Sequence, residues 1–464
     1  MSEELKEKLF DKKENGWISV NEEEKQNIFD FSKGYMDFLN QAKTEREFIK
    51  MARKLADQNG YKDIMEFDTL KPGDKIYFIN RNKTMYLAVI GTESIEQGLR
   101  IIGSHVDSPR LDLKPNPLYE DTGMAYFDTH YYGGIKKYQW TTIPLSIHGT
   151  IVKANGETID ICIGEDENDP IFTITDLLIH LAQDQMEKKL RNGIDGEDLN
   201  LLVGSIPYGE NGKDQVKLNI LNILNQKYGI TEADLTSSEI ELVPAFKARS
   251  LGLDESMVAA YGQDDKVCAY TSLAAMMEIE NVKNTAVCIL FDKEEIGSVG
   301  NTSMKSRMFD FFISEILNKL GVNRVSLLDK VYCFSKMLSS DVDAGFDPIY
   351  ASVSDTTNAG FLGKGISLNK YTGARGKSGA SDANAEYVAW IRNILEKNNI
   401  HHQFVELGKV DIGGGGTIAY IFANKGVDVI DCGVPVLSMH APYEVTSKYD
   451  VYSAYKTYKA FWNA

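Results

Sequence analysis

Histidines and carboxylates follow several apolar segments of this 464-residue chain, close to where each segment ends. Imidazole nitrogens and carboxylate oxygens are the usual ligands of zinc and similar divalent ions, and a bridged pair of ions needs about five of them. Each residue alone is a weak signal, since a lone histidine is more often structural. Their coincidence at the strand ends of one sheet predicts two divalent ions per chain, with zinc expected and cobalt or manganese open. The candidate ligands are His105, Asp264, Glu295, Asp341 and His440.

Two adjacent glutamates, Glu294 and Glu295, lie in the segment FDKEEIG. Neighbouring side chains near a strand end point in different directions, so one carboxylate can bind an ion while the other faces a metal-bridging water. Two cations acidify such a water, and a nearby glutamate can then accept its proton at neutral pH. This chemistry predicts amide hydrolysis, with the oxyanion stabilised by the metals. A glycosidase is disfavoured, because its two carboxyl groups must flank the sugar from opposite sides.

The elements that would position these residues alternate between strands and helices. Apolar periodicity predicts helical structure over residues 22–58 and Lys266–Glu280, and a hairpin from the strands 75–79 and 85–90. Further strands are predicted in LRIIG, TAVCILF, VYCFS and VDVIDCGVPVL. This alternation is typical of an α/β fold with a mostly parallel sheet flanked by helices. Such sheets bind ligands at the carboxyl ends of their strands.

The segment from about Pro115 to Lys247 has a different pattern, with more tyrosine and threonine and shorter alternating runs. We expect it to form a β-rich domain of residues 115–247, inserted into a catalytic domain that comprises residues 1–114 and 248–464. The inserted domain shows no strand-end carboxylate cluster of its own, and we expect it to pair subunits.

The composition excludes several classes of partner. The formal net charge is −17, with 50 basic and 67 acidic residues and no basic block, which argues against binding to nucleic acid or to an anionic membrane. No apolar run approaches the roughly 18 residues needed to cross a bilayer. The charged segment MSEELKEKLFDKKENG lacks the apolar core of a secretory signal, so a cytoplasmic location is expected.

The five cysteines do not form a C-x-x-C pair, and their number is odd. We interpret them as reduced and mostly buried thiols in a reducing compartment. Two of them, Cys288 and Cys333, lie in apolar runs that read as strands. A catalytic cysteine is disfavoured, because no histidine is close in sequence to act as its base.

Five segments resemble, in order and spacing, the motifs of the aspartyl-aminopeptidase-type zinc aminopeptidases. They are GSHVDSPRLDLKP, YGQDDKVCAY, FDKEEIGSVG, SSDVDAGFDP and SMHAPYEV, and the match runs from about residue 25 to the C-terminus. The resemblance implies an enzyme that removes N-terminal residues from short peptides. It also implies a split, zinc-exopeptidase-like catalytic domain with an inserted dimerisation domain, and a homo-oligomer in which dimers assemble into a dodecamer.

The resemblance also implies roles for individual residues. Asp264 would bridge the two ions, with His105 and Asp341 at one ion and Glu295 and His440 at the other. Glu294 would be the general base. Asp107 would orient the imidazole of His105, a common role for a carboxylate beside a ligating histidine. His180, in TDLLIHLAQ, would reach from the inserted domain into the active site of a neighbouring subunit; the alternative is a surface position on an amphipathic helix.

The chain departs from the acid-specific members of that family at two places. Those members have histidines shortly after the residue that matches Asp341, where this chain has DAGFDP, and a Cys-Gly-Thr sequence where this chain has GGGGT. Gly413–Gly416 could still present backbone N–H groups to a substrate, because glycine permits close approach. We therefore expect neutral or basic N-terminal residues to be preferred over Asp and Glu.

Two other functions stay open from the sequence. A related di-metal amidohydrolase, such as a carboxypeptidase or a deacylase, would use the same ligands on a different substrate. A non-catalytic, self-assembling scaffold protein could retain the fold, although it would have no need for all five ligands and Glu294.

Overall fold

The computed structural model describes residues 2–10, 14–210, 212–322 and 327–464. The α-helices in these ranges are α1 (Ser2–Leu9), α2 (Glu22–Leu39), α3 (Glu45–Gln58), α4 (Gln183–Met186), α5 (Gln215–Tyr228), α6 (Gln263–Glu278), α7 (Met308–Lys319), α8 (Leu327–Phe334), α9 (Ala385–Lys397), α10 (Ala419–Ala423) and α11 (Lys448–Trp462). The first ten strands are β1 (Lys62–Asp63), β2 (Lys75–Asn80), β3 (Thr84–Val89), β4 (Arg100–His105), β5 (Arg110–Asp121), β6 (Met124–Tyr132), β7 (Leu145–Val152), β8 (Thr158–Ile163), β9 (Leu201–Gly204) and β10 (Ser238–Pro244). The remaining strands are β11 (Arg249–Leu251), β12 (Met257–Ala260), β13 (Ala286–Phe291), β14 (Lys336–Ser339), β15 (Asp343–Ala344), β16 (Ile366–Asn369), β17 (His402–Phe404), β18 (Asp428–Gly433), β19 (Pro435–Leu437) and β20 (Glu444–Ser447).

The largest sheet has nine strands in the order β1-β2-β3-β13-β4-β14-β18-β16-β17. Its centre is parallel, since β4 pairs in parallel with both β13 and β14, and β14 pairs in parallel with β18. Antiparallel pairs occur towards the edges, at β2–β3, β3–β13 and β16–β18. The sheet is therefore mixed with a parallel centre, and the predicted α/β class is confirmed.

Helices cover both faces of this sheet. Alternate residues of β13 face opposite sides, as strand geometry requires. Cys288 and Leu290 pack into a core shared with α2, α3, α6, α9 and α11, whereas Val287 and Ile289 pack into a core shared with α7, α8 and α10. This double coverage explains the continuous apolar run AVCILF, because a strand buried on both faces has no solvent side.

Residues 110–244 supply a second sheet of six antiparallel strands, in the order β8-β7-β10-β5-β6-β9. It has its own apolar core, in which Trp140, Leu145 and Leu201 are fully buried. This is the region where the sequence predicts an inserted β-rich domain, and the domain boundaries given above stay a prediction.

A third sheet has five short strands in the order β11-β12-β20-β19-β15. The run VDVIDCGVPVL, predicted as one strand, is divided between β18 of the large sheet and β19 of this one. The chain changes sheets at Gly433, where an added Cβ would lie 1.7 Å from the carbonyl oxygen of Asp341. Only glycine permits so close a backbone approach.

Three other predictions from the pattern were wrong in detail. Residues 22–58 form two helices, because Thr44 and Glu47 make a capping box that begins α3 after a break. The run VYCFS ends helix α8, and the strand begins only at Lys336, since a short apolar run does not distinguish helix from strand. The third detail concerns the cysteines: three of the five are buried, as expected for mostly buried thiols, but Cys333, predicted to lie in a strand, is exposed on helix α8. No described helix combines the length and the apolar character needed to cross a bilayer.

Candidate active site

Three of the predicted ligands lie at the carboxyl ends of neighbouring strands in the large sheet. His105 is the last residue of β4, which lies between β13 and β14. Glu295 follows β13 in a 3₁₀ turn, Glu294–Ile296, and Asp341 follows β14. Because these strands are parallel, their ends meet at one edge and bring the three side chains together.

The other two predicted ligands come from the five-stranded sheet, so the expectation that all five follow strands of one sheet was wrong. Asp264 lies in the first turn of α6, shortly after β12. His440 follows β19. Both β12 and β19 pair antiparallel with β20, so they run in the same direction. Their carboxyl ends, which Asp264 and His440 follow, therefore lie at the same edge of this sheet. The sequence pattern did not distinguish the sheets, because the division at Gly433 depends on a tertiary contact.

The carboxylate of Asp264 lies between the two histidines. Its Oδ1 is 3.2 Å from Nε2 of His105, and its Oδ2 is 3.1 Å from Nε2 of His440. Asp341 Oδ1 is 3.7 Å from His105 Nε2, and Glu295 Oε2 is 3.6 Å from His440 Nε2. The geometry thus contains two groups of nitrogen and oxygen ligands, with Asp264 common to both.

Hydrogen bonds on the far side of each imidazole fix its orientation. Nδ1 of His105 lies 2.9 Å from the carbonyl oxygen of Asp107, and Nδ1 of His440 lies 2.8 Å from that of Gly134. A carbonyl oxygen can only accept, so each Nδ1 carries a proton and donates it. In both rings Nε2 is the nitrogen that faces the carboxylates, which is the arrangement that a metal-binding histidine needs.

Asp107 is fully buried and joins the two strand ends. Its Oδ1 accepts a hydrogen bond from the backbone N–H of Glu294 at 3.1 Å, and its Oδ2 accepts one from that of Glu295 at 3.2 Å. The hydroxyl of Tyr132, at the end of β6, donates to the same Oδ2 at 2.8 Å. Tyr132 was missed by the sequence reasoning, because nothing near it in the sequence points to a contact with Asp107.

Glu444 is a second residue that the sequence reasoning missed. Its Oε1 accepts a hydrogen bond from the backbone N–H of His440 at 2.7 Å, and its Oε2 accepts one from that of Asp264 at 3.0 Å. It is buried and so holds two predicted ligands at a fixed separation. The available signal was its position in the motif SMHAPYEV, four residues after His440.

The carboxylates of the candidate ligands and of Glu294 lie close together and are largely buried, which changes their pKa values. Burial and the nearby carboxylate of Asp341 raise the pKa of Glu294 to about 8. Burial and repulsion from Asp264 raise the pKa of Glu295 well above its ordinary value. Burial opposes the charged form of His440, but its hydrogen bond to Asp264 and the charge of Glu295 outweigh burial and raise its pKa to about 10. Dications relieve such repulsion between carboxylates.

The cluster forms one wall of a cavity of about 590 Å³, which Asp264, Glu294, Glu295, Asp341 and His440 all line. The wall also includes Gly414–Gly416, from the glycine-rich segment that the sequence suggested as a substrate contact.

Comparison with known proteins identifies the relatives of this fold and site. Residues 38–462 match the sequence model of the aminopeptidase I zinc metalloprotease family, M18. The chain belongs to the M18 family. A probable M18 family aminopeptidase 1 of Clostridium acetobutylicum is 51% identical over 461 residues, which cover 98% of this chain and 99% of that protein. An M18 aminopeptidase structure from Thermotoga maritima superposes with a TM-score of 0.95 at 44% identity, covering 98% of this chain and 100% of that one.

The yeast mApe1 dodecamer shares the fold at a TM-score of 0.76 and 20% identity, covering 94% of this chain and 97% of that one. Membership in M18 confirms the resemblance found in the sequence and makes this chain a zinc metallo-aminopeptidase, a hydrolase that acts on peptide bonds. It favours aminopeptidase activity over the two alternatives, a carboxypeptidase or deacylase and a non-catalytic scaffold.

His180 is the one predicted site residue that the structure does not bring to the cluster. In this M18 chain it lies in a 3₁₀ turn, Ile179–Leu181, and its side chain is exposed. It is absent from the described residues that line the cavity. Its predicted role requires a second subunit and stays a prediction.

Proposed function

We propose that this M18 aminopeptidase binds two zinc-type ions, with Asp264 as the bridging ligand. His105 and Asp341 bind one ion, and Glu295 and His440 bind the other. The observation that carries this proposal is the position of the Asp264 carboxylate, whose two oxygens face Nε2 of the two histidines at 3.2 Å and 3.1 Å. A bridging carboxylate needs one oxygen for each ion.

The residues fit a pair of dications by their chemistry as well as by their positions. Imidazole nitrogen and carboxylate oxygen are typical zinc ligands. Ligand atoms of His105, Asp264 and Glu295 lie within 4.8 Å of one another, so ligands assigned to the two different ions lie close together. Glu295 Oε1 is buried without a hydrogen-bond partner among the described residues, which is costly unless a cation binds there.

The ions, when bound, supply Lewis-acid activation of water and of the scissile carbonyl. Glu294 accepts a proton from the attacking water on its carboxylate and delivers it to the leaving amine. It lines the cavity beside the ligands, and the hydrogen bonds from its own backbone N–H and that of Glu295 to Asp107 fix the turn that carries it. Asp107 also fixes the orientation of His105 and is a positioning residue.

The substrates are short peptides with a free N-terminus. The net charge of −17 supports neither nucleic acid nor an anionic membrane as a partner. The five free cysteines support a reducing compartment, and we propose a cytoplasmic location.

We further propose that the inserted segment around His180 pairs two copies of the chain and that such dimers assemble into a dodecamer. Apolar side chains on this segment are unusually exposed: Ile179 and Leu181 are each 69% exposed, and Met186 is 70% exposed. Clustered exposed apolar residues favour burial against another protein surface. His180 lies among them, so a partner that covers this segment receives the imidazole. The yeast relative, described as a dodecamer, supports a homo-oligomer.

Metal content and substrate class test the proposal together. After dialysis against zinc, elemental analysis is expected to find close to two ions per chain, and Leu-p-nitroanilide is expected to be hydrolysed while N-acetyl-leucine is not. A plateau near one ion per chain would contradict the proposed pair of ions bridged by Asp264, but it would not contradict aminopeptidase activity. Glu295→Gln serves as an internal comparison and should lose one ion, because a neutral amide is a poor ligand for a dication.

A further inference from the structure

A buried lysine lies two residues after the proposed bridging ligand. Lys266 is in the first turn of α6, as Asp264 is, and it is 1% exposed. Among the residues that the structure describes, Lys266 forms no ion pair with a carboxylate, and its Nζ lies 5.3 Å from the centre of the Tyr261 ring. An ammonium group that is buried without a paired carboxylate is costly. Its hydrogen bonds are therefore the place to look for what it does.

The ammonium group of Lys266 is connected to Asp264 through one serine hydroxyl. Nζ donates to Oγ of Ser108 at 2.6 Å, and this hydroxyl donates to the backbone carbonyl oxygen of Asp264 at 2.8 Å. An ammonium group has donors only, so Ser108 must accept from it with a lone pair, and its single proton is left for the carbonyl oxygen. Lys266 therefore fixes the direction in which the hydroxyl of Ser108 donates.

The backbone of Asp264 depends on such contacts. Its φ of −79° and ψ of 108° are extended although the residue lies in the first turn of α6, so regular helix geometry does not fix its position. Its N–H donates to Oε2 of Glu444, and its carbonyl oxygen accepts from Ser108, so the residue is held from both sides. A carboxylate can bridge two ions only if its own backbone is held in place.

Ser108 also connects two of the segments that carry candidate ligands. It lies three residues after His105, in the loop between β4 and β5, and its contact with Asp264 joins this loop to the start of α6. The space around the contact is small, since a Cβ added at Gly262 would lie 2.7 Å from Lys266 Nζ and 2.9 Å from Ser108 Oγ. The glycine thus leaves room for this pair of side chains and for little else.

We propose that Lys266 is a positioning residue for the metal pair and acts on the bridging ligand Asp264 through the hydroxyl of Ser108. This inference rests on the proposed function and adds a residue that is neither a proposed ligand nor, among the described residues, part of the cavity wall. Without the lysine donor, the hydroxyl of Ser108 can rotate away from the carbonyl oxygen. Asp264 then loses one of its two backbone restraints, and the affinity for both ions falls because Asp264 is common to them.

The test measures zinc affinity by competition with a chelator, and the visible absorption of the cobalt-loaded full-length enzyme, which reports the geometry of the ligands. Lys266→Met removes the donor from a side chain of similar length, and Ser108→Ala removes the hydroxyl. Each is expected to weaken zinc binding by about 10- to 100-fold and to shift the cobalt spectrum. The double variant is expected to bind zinc no more weakly than Ser108→Ala alone, because the two residues act in one chain of hydrogen bonds.

Lys448→Met is the matched control, because Lys448 has similar surroundings elsewhere in the fold. It is 2% exposed, its Nζ donates to the hydroxyl of Ser250 at 2.8 Å, and the same atom lies 4.2 Å from the centre of the Phe29 ring. Among the described residues, the hydroxyl of Ser250 does not donate to a candidate ligand. Loss of this lysine is expected to leave zinc affinity and the cobalt spectrum unchanged, whatever it does to the melting temperature.

The outcomes separate this inference from the function on which it rests. A lower melting temperature of Lys266→Met with unchanged zinc affinity and cobalt spectrum would show a purely structural role and overturn the inference. Effects of the two variants that add in the double variant would also overturn it, since Lys266 would then act independently of Ser108. If Lys266→Met does not fold, unchanged zinc binding in Ser108→Ala has the same consequence. A wild type that binds no metal would instead contradict the proposed function.

Discussion

Two regions of this chain depart from the usual pattern, in which charged side chains are exposed and apolar side chains are buried. One region buries charged side chains, and the other exposes apolar ones. The metal cluster buries carboxylates, with Asp264 3% exposed and Asp265 fully buried. The segment around His180 exposes apolar side chains, including Ile179 and Leu181. Buried charge is tolerated when an opposite charge accompanies it, and exposed apolar surface is tolerated when another surface covers it. In the proposal above, cations compensate the cluster within one chain, whereas a second chain covers the apolar segment.

The metal cluster is tested most directly by removing the proposed general base, Glu294, while leaving the candidate metal ligands unchanged. Glu294→Gln deletes a proton acceptor and changes little volume. We expect kcat to fall by roughly 10²–10⁴-fold, the contribution of general acid–base groups, while metal content and KM stay close to the wild type. Stopped assays combined with elemental analysis measure both quantities. Turnover near the wild-type value would remove Glu294 from the mechanism.

The proposal that a second chain covers the apolar segment around His180 is tested by placing charge on that segment. The double variant Ile179→Asp and Leu181→Asp puts charge on the predicted contact and is expected to shift sedimentation velocity towards monomers. His180→Ala should keep the assembly and the metal but lower kcat by on the order of 10²-fold, the effect of losing one positioned donor.

Ile18→Asp provides the control for the double variant, since Ile18 is 80% exposed and lies outside the segment. It should leave both assembly and activity unchanged. A monomeric double variant with full activity would show that the cluster needs no second chain and would end the role proposed for His180.

The predictability of the two regions from sequence differs for a physical reason. His105, Glu295 and Asp341 could be placed because each follows an apolar run, and a parallel sheet brings such ends together. Tyr132 and Glu444 could not, because their contacts join residues that are distant in the chain. For the residues around His180 the sequence offered an amphipathic helix as one interpretation, whereas the structure has a 3₁₀ turn with exposed apolar side chains. Periodicity does not show whether a surface that covers such side chains belongs to the same chain.

Tyr132 connects the metal cluster to the six-stranded sheet, and its removal gives a smaller expected effect. It lies on the six-stranded sheet, and its hydroxyl donates to Asp107, which holds His105 and the turn of Glu294. Tyr132→Phe removes only that hydrogen bond. Loss of a residue that supports a metal ligand typically lowers metal affinity or activity by about 10- to 100-fold, and we expect weaker zinc binding at the His105 site.

Competition with a chelator measures that affinity. Tyr126→Phe, on the same strand β6, is the control, because among the described residues the Tyr126 hydroxyl donates to the sulfur of Met124 and not to Asp107. Equal zinc affinity in wild type and Tyr132→Phe would show that the six-stranded sheet supports assembly without supporting the metal site.

The smallest expected effect concerns His148, at the junction of β7 with helix α3. Its Nδ1 is 2.7 Å from Glu47 Oε1, and its Nε2 is 3.1 Å from Glu165 Oε1. Burial opposes the charged imidazole, but contacts with the Cys162 thiol and the two glutamates outweigh burial and hold the pKa of His148 well above its ordinary value. A raised pKa stabilises the folded state fully below the unfolded pKa of about 6.5, and this stabilisation is lost as the pH rises through the folded pKa.

His148→Gln abolishes that titration but leaves both glutamates with partners, since Glu47 accepts from the backbone N–H of Thr44 and Glu165 pairs with Lys43. We therefore expect a destabilisation of only about 1 kcal/mol at pH 6, because a single charge-assisted contact is lost. Melting temperatures measured against pH should show the wild-type advantage shrinking in alkaline solution. His130→Gln, at an exposed position on β6, is the control substitution and should change the melting temperature little. An advantage that does not change with pH would mean that His148 is neutral in the folded protein, and the contact between α3 and the six-stranded sheet would then depend on packing and on the Lys43–Glu165 ion pair.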